Sequence, residues 1–271
     1  MKKTFGIIGN PVKHSLSPLL HNYWFKKYDI EGSYSIIEDA EDNLADIVKK
    51  IKDKSLIGVN VTLPFKQKII IHADKIINDA ETTGSVNTLL LDNSGAVVGE
   101  NTDVFGLQAA YLKEIDNGSN KKALVIGAGG VSPSAILSLQ KSGFKNISIT
   151  NRTNEKCLFL KKKFNYLNVF PWNNLQSEIG NFDIIINATS LGLKNGQDFD
   201  FHKCKNDATY IDTIYNPLKT KTLKFLEDQG LKVFNGLDMF IYQGQKSFYL
   251  WNKINPEIDD DLVSLLLSKL K

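Results

Sequence analysis

The sequence predicts an α/β protein built as two domains. Three observations carry that expectation: a length of 271 residues, short β-rich runs alternating with helical patterns through the first part of the chain, and a second series of βαβ patterns that starts at Ala123. A chain of this length exceeds the usual single-domain size, and two domains of ordinary size can each bury a core. Strands and helices in alternation imply sheets with mostly parallel strands.

Taken in order, Thr4–Gly9, Ser33–Ile37 and Leu56–Val61 read as strands, and Pro18–Tyr28 and Glu41–Ile51 as helices. Val86–Leu91 and Ala96–Val98, parted by Asp92, Asn93, Ser94 and Gly95, read as a hairpin. A helical pattern covers Val104–Glu114, and the polar stretch Asp116–Lys122 follows. From there Ala123–Ile126, Ile147–Thr150, Asp183–Asn187 and Tyr210–Thr213 read as strands, with helices opening at Val131 and Asn154. This is the organisation of a Rossmann-type dinucleotide-binding domain. The tail returns to helices over Asp238–Trp251 and Asp259–Leu270, the second preceded by Pro256 and opened by Asp259–Asp261, whose acids suit a helix N-terminus. The expected division is 1–103 with 238–271 as one domain and 104–237 as the other, so that the terminal helices rejoin the first.

Composition narrows the partners. Lys and Arg number 33 against 30 Asp and Glu, and a net charge of +3 is too small to mark a nucleic-acid or membrane surface. The two cysteines, Cys157 and Cys204, fit no disulfide framework or zinc pattern and suit a reducing compartment. The apolar stretch Met1–Ile8 is short for a signal peptide, and no apolar run approaches the ~20 residues that span a bilayer. The expectation is a cytoplasmic protein with a small-molecule partner, acting as a monomer or homodimer.

Five segments carry chemistry. The apolar strand running into Gly127-Ala128-Gly129-Gly130 and then a helix is a setting in which backbone amides approach a pyrophosphate at a helix N-terminus. Ser132 stands where such loops have a third glycine and is small enough to keep helix and strand close. The next strand ends in Asn151-Arg152-Thr153, with Lys156 a helical turn on. An acid there would favour NAD, whereas a guanidinium and short polar groups suit the 2′-phosphate of NADP.

Near the N-terminus, Ser15 and Ser17 flank a leucine just before a helix, and Ser17 before Pro18 reads as an ordinary N-cap. His14 and His21 are read as packed or capping side chains, since no carboxylate lies at ligand spacing. The segment Gly58–Lys66 places Asn60 and Thr62 on one face of a strand end and Lys66 after a proline turn. Asp103, in Gly99–Asp103, is an acid able to pair with Lys66.

These segments, in this order, resemble the shikimate dehydrogenase family: GNPVKHSLSPLLHN at 9, GVNVTLPFK at 58, GENTD at 99, GAGG at 127, NRT at 151, NATSLG at 187, DTIYNPLKT at 212 and GLDMFIYQG at 236. The resemblance implies an NADP-dependent oxidoreductase that reduces 3-dehydroshikimate to shikimate in aromatic amino-acid biosynthesis. It implies that Ser15 and Ser17 bind the substrate carboxylate, with Tyr215 near it, and that Asn60, Thr62, Asn87, Asp103 and Gln243 contact ring hydroxyls or the reacting oxygen. Lys66 and Asp103 would form the catalytic pair. On the cofactor side it implies Gly127, Ala128, Gly129 and Gly130 at the phosphates, Asn151, Arg152, Thr153 and Lys156 at the 2′-phosphate, and Thr189, Ser190 and Met239 near the nicotinamide. Met239 and Gln243 are four apart on a helical pattern, where a methionine also serves as core. Two departures stand out: Val131-Ser132-Pro133 after the glycines, and Lys156 where arginine is frequent, a lysine lacking the bidentate fork. The competing readings are a dehydrogenase that also takes quinate, a catalytically silent NADP- or metabolite-binding module, and a related folate dehydrogenase. The silent module would tend to lose Lys66 or Asp103, and the paired serines and the NRT turn speak against the folate enzyme.

Overall fold

The computed structural model describes residues 3–38, 43–113, 115, 118–191 and 201–270. Met1, Glu41, Asp42, Glu114, Asp116, Gly192 and Lys271, which fall in segments read above, lie outside the described residues. The chain divides into two compact units, Met1–Gly106 with Ile241–Lys269, and Leu107–Phe240 with Leu270–Lys271.

The first unit opens with β1 (Lys3–Ile8), α1 (Ser17–Lys27), β2 (Gly32–Ile36), α2 (Leu44–Lys52), β3 (Gly58–Val61) and α3 (Phe65–Lys68). It continues through β4 (Lys75–Ile76), α4 (Asp79–Thr83), β5 (Thr88–Leu91), β6 (Val97–Glu100) and α5 (Asp103–Leu107). Its sheet has the order β2-β1-β3-β5-β6-β4. β1 runs parallel to β2 and β3, and β4 parallel to β6, while β5 is antiparallel to both β3 and β6. The β5–β6 hairpin is the one expected: Asp92 Oδ1 accepts the amides of Ser94 and Ala96, and Gly95 supplies the left-handed residue at φ +82°. On α2 the buried residues Leu44, Ile47, Val48 and Ile51 form one stripe, which packs with Ile8, Val59, Val61 and Leu89 of the sheet. The helix expected over Val104–Glu114 is α5 continued by a π-helical turn at Gln108–Leu112.

The second unit contains β7 (Lys122–Ile126), α6 (Ser132–Lys141), β8 (Asn146–Thr150), α7 (Asn154–Lys163), β9 (Asn168–Val169), α8 (Leu175–Glu178), β10 (Ile184–Asn187), β11 (Thr209–Asp212), α9 (Lys221–Asp228) and β12 (Lys232–Phe234). All six strands are parallel, in the order β12-β11-β10-β7-β8-β9. Renumbered within the unit, that is the doubly wound Rossmann order, with its reversal of strand progression between β7 and β10. Loops at the carboxyl ends of those two strands therefore border the crevice where such sheets take ligands.

The chain ends in α10 (Leu237–Asn252) and α11 (Asp260–Leu267). Asp259 caps α11 by accepting the amide of Leu262 at 2.8 Å, as the acidic run predicts. In the first unit Phe248 and Trp251 of α10 pack with Phe5, His21, Trp24 and Phe25, covering the sheet face opposite α2. Gly58 lets the Trp251 indole lie on β3, because a Cβ there would collide with the ring. Among the described residues no helix is long and apolar enough to cross a membrane, and both cysteines are free thiols.

Candidate active site

In the first unit the polar side chains gather where β3 and β6 end and β5 begins. Asn60 is in β3, Asn87 precedes β5, and Asp103 opens α5. Lys66, on the short helix after Pro64, reaches Asp103: its Nζ donates to Oδ2 at 2.5 Å, and both side chains are more than nine-tenths withdrawn from solvent. The other carboxylate oxygen accepts from Asn87 Nδ2 at 2.8 Å, and the Asp103 amide donates to Asn101 Oδ1. Asn87 also holds Thr102, whose amide donates to Asn87 Oδ1 at 2.8 Å, and its Nδ2 makes a long 3.5 Å contact to Gln243 Oε1. The carboxylate is thus fixed from two sides by the protein's own side chains.

Behind this pair lies a layer of buried hydroxyls, of which only Thr102 stands in a motif read above. Asn60 Nδ2 faces the Asn87 carbonyl, Thr88 Oγ1 and Ser247 Oγ at 3.0–3.1 Å, and its Oδ1 accepts the Tyr34 phenol at 2.8 Å. Ser247, one turn beyond Gln243 on α10, also contacts Thr88 and Thr102. The Asn60 amide is therefore satisfied internally, which makes it a brace for the strand end as much as a ligand contact. Tyr34, Thr88 and Ser247 lie outside the quoted motifs, Thr102 lies within GENTD without a role read for it, and their burial together reveals them.

Ser15 and Ser17 come together: Ser15 Oγ donates to Ser17 Oγ at 3.1 Å and accepts the Ser17 amide at 3.2 Å. The N-cap reading of Ser17 needs correction. Leu16 is the cap residue and makes no side-chain capping bond, so Ser17 is already the first residue of α1, with Tyr34 rather than a helix amide beside its hydroxyl. Thr62 is half-buried, and its methyl lies against Gly9, where a Cβ would collide with it. His14 is exposed, whereas His21 is fully buried, stacked on Tyr34 at 4.4 Å.

In the second unit the glycine turn follows β7. Gly127 has φ +109°, and a Cβ there would sit 2.6 Å from the Thr189 methyl, so glycine lets this turn lie against the one after β10. At Gly129 a Cβ would meet nothing nearer than the Ala188 carbonyl at 4.0 Å, which leaves room for a group to approach the backbone. Ser132 does more than stay small: its Oγ accepts the Gly129 amide at 2.9 Å and fixes the loop to α6. Arg152, Thr153 and Lys156 are exposed at the start of α7, and Asn151 braces that turn by donating to the Thr153 carbonyl at 2.9 Å. An open glycine turn with exposed cations beyond the next strand fits a phosphorylated dinucleotide.

Thr189 is committed locally. Its hydroxyl donates to Asn187 Oδ1 at 2.6 Å and accepts the Leu191 amide at 3.0 Å, while Ser190 is exposed. Met239 is buried, with its amide donating to the Tyr111 phenol, and Tyr215 stacks on Phe240 at 4.8 Å. Asn187 and Asp212, both buried, organise this region and were not singled out from the sequence.

Comparison with known proteins fits this layout. Residues 7–89 match the family model of the shikimate dehydrogenase substrate binding domain, and residues 110–206 that of shikimate / quinate 5-dehydrogenase. A shikimate dehydrogenase (NADP(+)) of Pelagibacter ubique is 43% identical over 270 residues, covering 98% of this chain and 99% of its own. The chain belongs to the shikimate dehydrogenase family. Among solved members, the shikimate dehydrogenase of Aquifex aeolicus is 34% identical with a TM-score of 0.88, covering 99% of this chain and 97% of its own. The shikimate 5-dehydrogenase of Thermus thermophilus, in complex with NADP(H) and shikimate, is 30% identical with a TM-score of 0.87, covering 99% of this chain and 100% of its own.

Proposed function

We propose that the protein is an NADP-dependent shikimate dehydrogenase, interconverting 3-dehydroshikimate and shikimate. The observation that carries the reading is the buried Lys66–Asp103 pair, held by Asn87 at the end of a sheet otherwise lined with amides and hydroxyls. A ring bearing several hydroxyls needs such a lining, because each of its polar groups left unpaired in a closed site costs binding. The dinucleotide, held by Gly127–Gly130, Arg152 and Lys156, supplies or takes up the hydride.

In the reductive direction Lys66 stabilises the negative charge that develops on the ketone oxygen and gives it a proton from Nζ. Asp103 pairs with that lysine and aims it. Ser15 and Ser17 turn their hydroxyls to the substrate carboxylate, with Tyr215 assisting, and Asn87, Thr62 and Gln243 contact the ring hydroxyls. In the oxidative direction Lys66, deprotonated, accepts the alcohol proton. We place the enzyme in the cytoplasm as a monomer or homodimer, a choice that sedimentation of the purified chain decides. The functional test follows reduced nicotinamide by absorbance, with shikimate or quinate offered against NADP or NAD. Turnover of shikimate with NADP supports the reading. Equal use of quinate would widen the substrate, and binding without turnover would replace the enzyme with a binding module.

A further inference from the structure

Asp212 ends β11 at the row where the central strands of the second unit stop. It pairs in register with Asn187 of β10, which pairs with Ile126 of β7, the residue before Gly127. Its side chain is fully buried and receives donors from three segments. Asn187 Nδ2 at 3.2 Å and the Ile214 amide at 3.0 Å reach Oδ1, and the Thr220 hydroxyl at 3.0 Å reaches Oδ2. Thr220 also caps α9 by accepting the Leu223 amide at 3.2 Å.

The chemistry of Asn187 makes the charge state of this carboxylate consequential. An amide has a donor end and an acceptor end, and an ionised carboxylate only accepts. Asp212 and the Leu191 carbonyl, at 3.3 Å, therefore both draw the Asn187 nitrogen, and its oxygen faces Thr189, where it receives the backbone amide at 3.1 Å and the hydroxyl at 2.6 Å. The Thr189 methyl in turn lies on the face that Gly127 leaves open. A neutral group at 212, able to donate, competes with that orientation and leaves Leu191 and Thr189 alone to hold the amide, which loosens the turn.

We propose that Asp212 is a positioning residue for the dinucleotide, its negative charge orienting Asn187 so that the 187–191 turn keeps the conformation that lies against Gly127. The proposal rests on the reading of the second unit as the NADP site. Burial pushes the Asp212 carboxyl up to about 6, against the three donors that favour its ionised form, so the charge is present at neutral pH and lost just below it. The titratable groups recorded as facing it are the phenols of Tyr210 on its own strand and Tyr111, both raised by burial and neutral throughout this range. β10 presents Asn187, and the cap residue of α9 presents the Thr220 hydroxyl.

The test is the affinity of the full chain for NADP, by calorimetric titration, in the wild type, Asp212→Asn, Asn187→Ala and the double variant. At about pH 7.5 each single change is expected to weaken NADP roughly 10-fold, as loss of an orienting partner does, and the double change to add little more. The 2′-phosphate itself titrates near pH 6, so the reading is the ratio of wild-type to Asp212→Asn affinity, which is expected to shrink toward one at about pH 5. A purely structural role would lower the melting temperature without making that ratio depend on pH. Wild-type affinity in Asp212→Asn at about pH 7.5, a ratio that pH does not move, or additive losses in the double variant would each overturn the proposal. Should Asp212→Asn fail to fold, Asn187→Ala must still lose affinity while the wild type loses more on acidification than that variant does. An unmodified chain that binds no NADP would instead defeat the functional reading.

Discussion

Lys66 Nζ and Asp103 Oδ2 lie 2.5 Å apart, and Asn87 donates to the opposite oxygen of the same carboxylate. Removing either partner leaves a buried charge uncompensated. Lys66→Met keeps the apolar stem and removes both charge and proton. Turnover with shikimate and NADP should fall roughly 100-fold or more, with a smaller change in KM, because the interaction belongs mostly to the transition state. Asp103→Asn combined with Lys66→Met should cost less than the sum of the single changes, and steady-state kinetics on the four proteins checks it.

Arg152 is exposed and can form charge-assisted bonds with a 2′-phosphate. Arg152→Ala should raise KM for NADP at least roughly 10-fold while leaving KM for NAD nearly unchanged, the scale of a lost charge-assisted pair. Equal effects on the two cofactors would remove the argument for NADP preference.

Ser15 and Ser17 hydrogen-bond each other at 3.1 Å, and an incoming carboxylate would compete for that hydroxyl. Changing both to Ala should weaken shikimate binding roughly 10-fold or more and leave NADP affinity intact, which titration of each ligand separately resolves. The double change also removes the Ser15 bond to the Ser17 amide and the Ser17 contact with the buried Tyr34 phenol, so a modest fall in melting temperature should accompany it.

His21 is held neutral: burial pulls its pKa down to about 3, a shift that the neighbouring Asn60 only partly offsets. Among the described residues no donor or acceptor is placed to hydrogen-bond either ring nitrogen. The unfolded chain binds this proton near pH 6.5, so folding loses about 1.4 kcal/mol for each unit that pH falls below that value, until it nears the folded pKa. His21→Phe keeps the stacking on Tyr34 and sacrifices no hydrogen bond. Its acid-unfolding midpoint, followed by circular dichroism, should lie at lower pH than that of the wild type, with stability at neutral pH changed little.

What the sequence disclosed was what is local. The hairpin around Gly95 and the glycine turn at 127 are set by adjacent residues and stand where the pattern placed them. β4, β9 and β12, of two or three residues each, are too short to carry a period. The π-helical turn at Gln108–Leu112 has nearly the spacing of the α-helix read there. Ser17 before Pro18 looks like a cap, but Leu16 at φ −83°, ψ −1° has already entered helical conformation. Asn187 and Asp212 both fall within motifs that were read, yet their partnership exists only through the parallel register of β10 and β11. The hydroxyls of Tyr34, Thr88 and Ser247 gather with Thr102 of the GENTD segment from distant parts of the chain, and nothing in their own neighbourhoods announces the meeting.

The aromatic face formed by Phe5, Trp24 and Phe25 is closed by Phe248 and Trp251, from the opposite end of the chain. A ribosome therefore delivers the whole of Leu107–Phe240 before the helix that covers this face. The second unit, continuous except for its last two residues, can finish its core while the earlier sheet still shows its rings to water. At ordinary synthesis rates that interval lasts on the order of 10 s, long enough for chaperones or other nascent chains to engage the exposed surface. Closing so long a loop adds little entropy beyond what a shorter one needs. The discontinuous layout thus burdens the birth of the protein more than its finished stability.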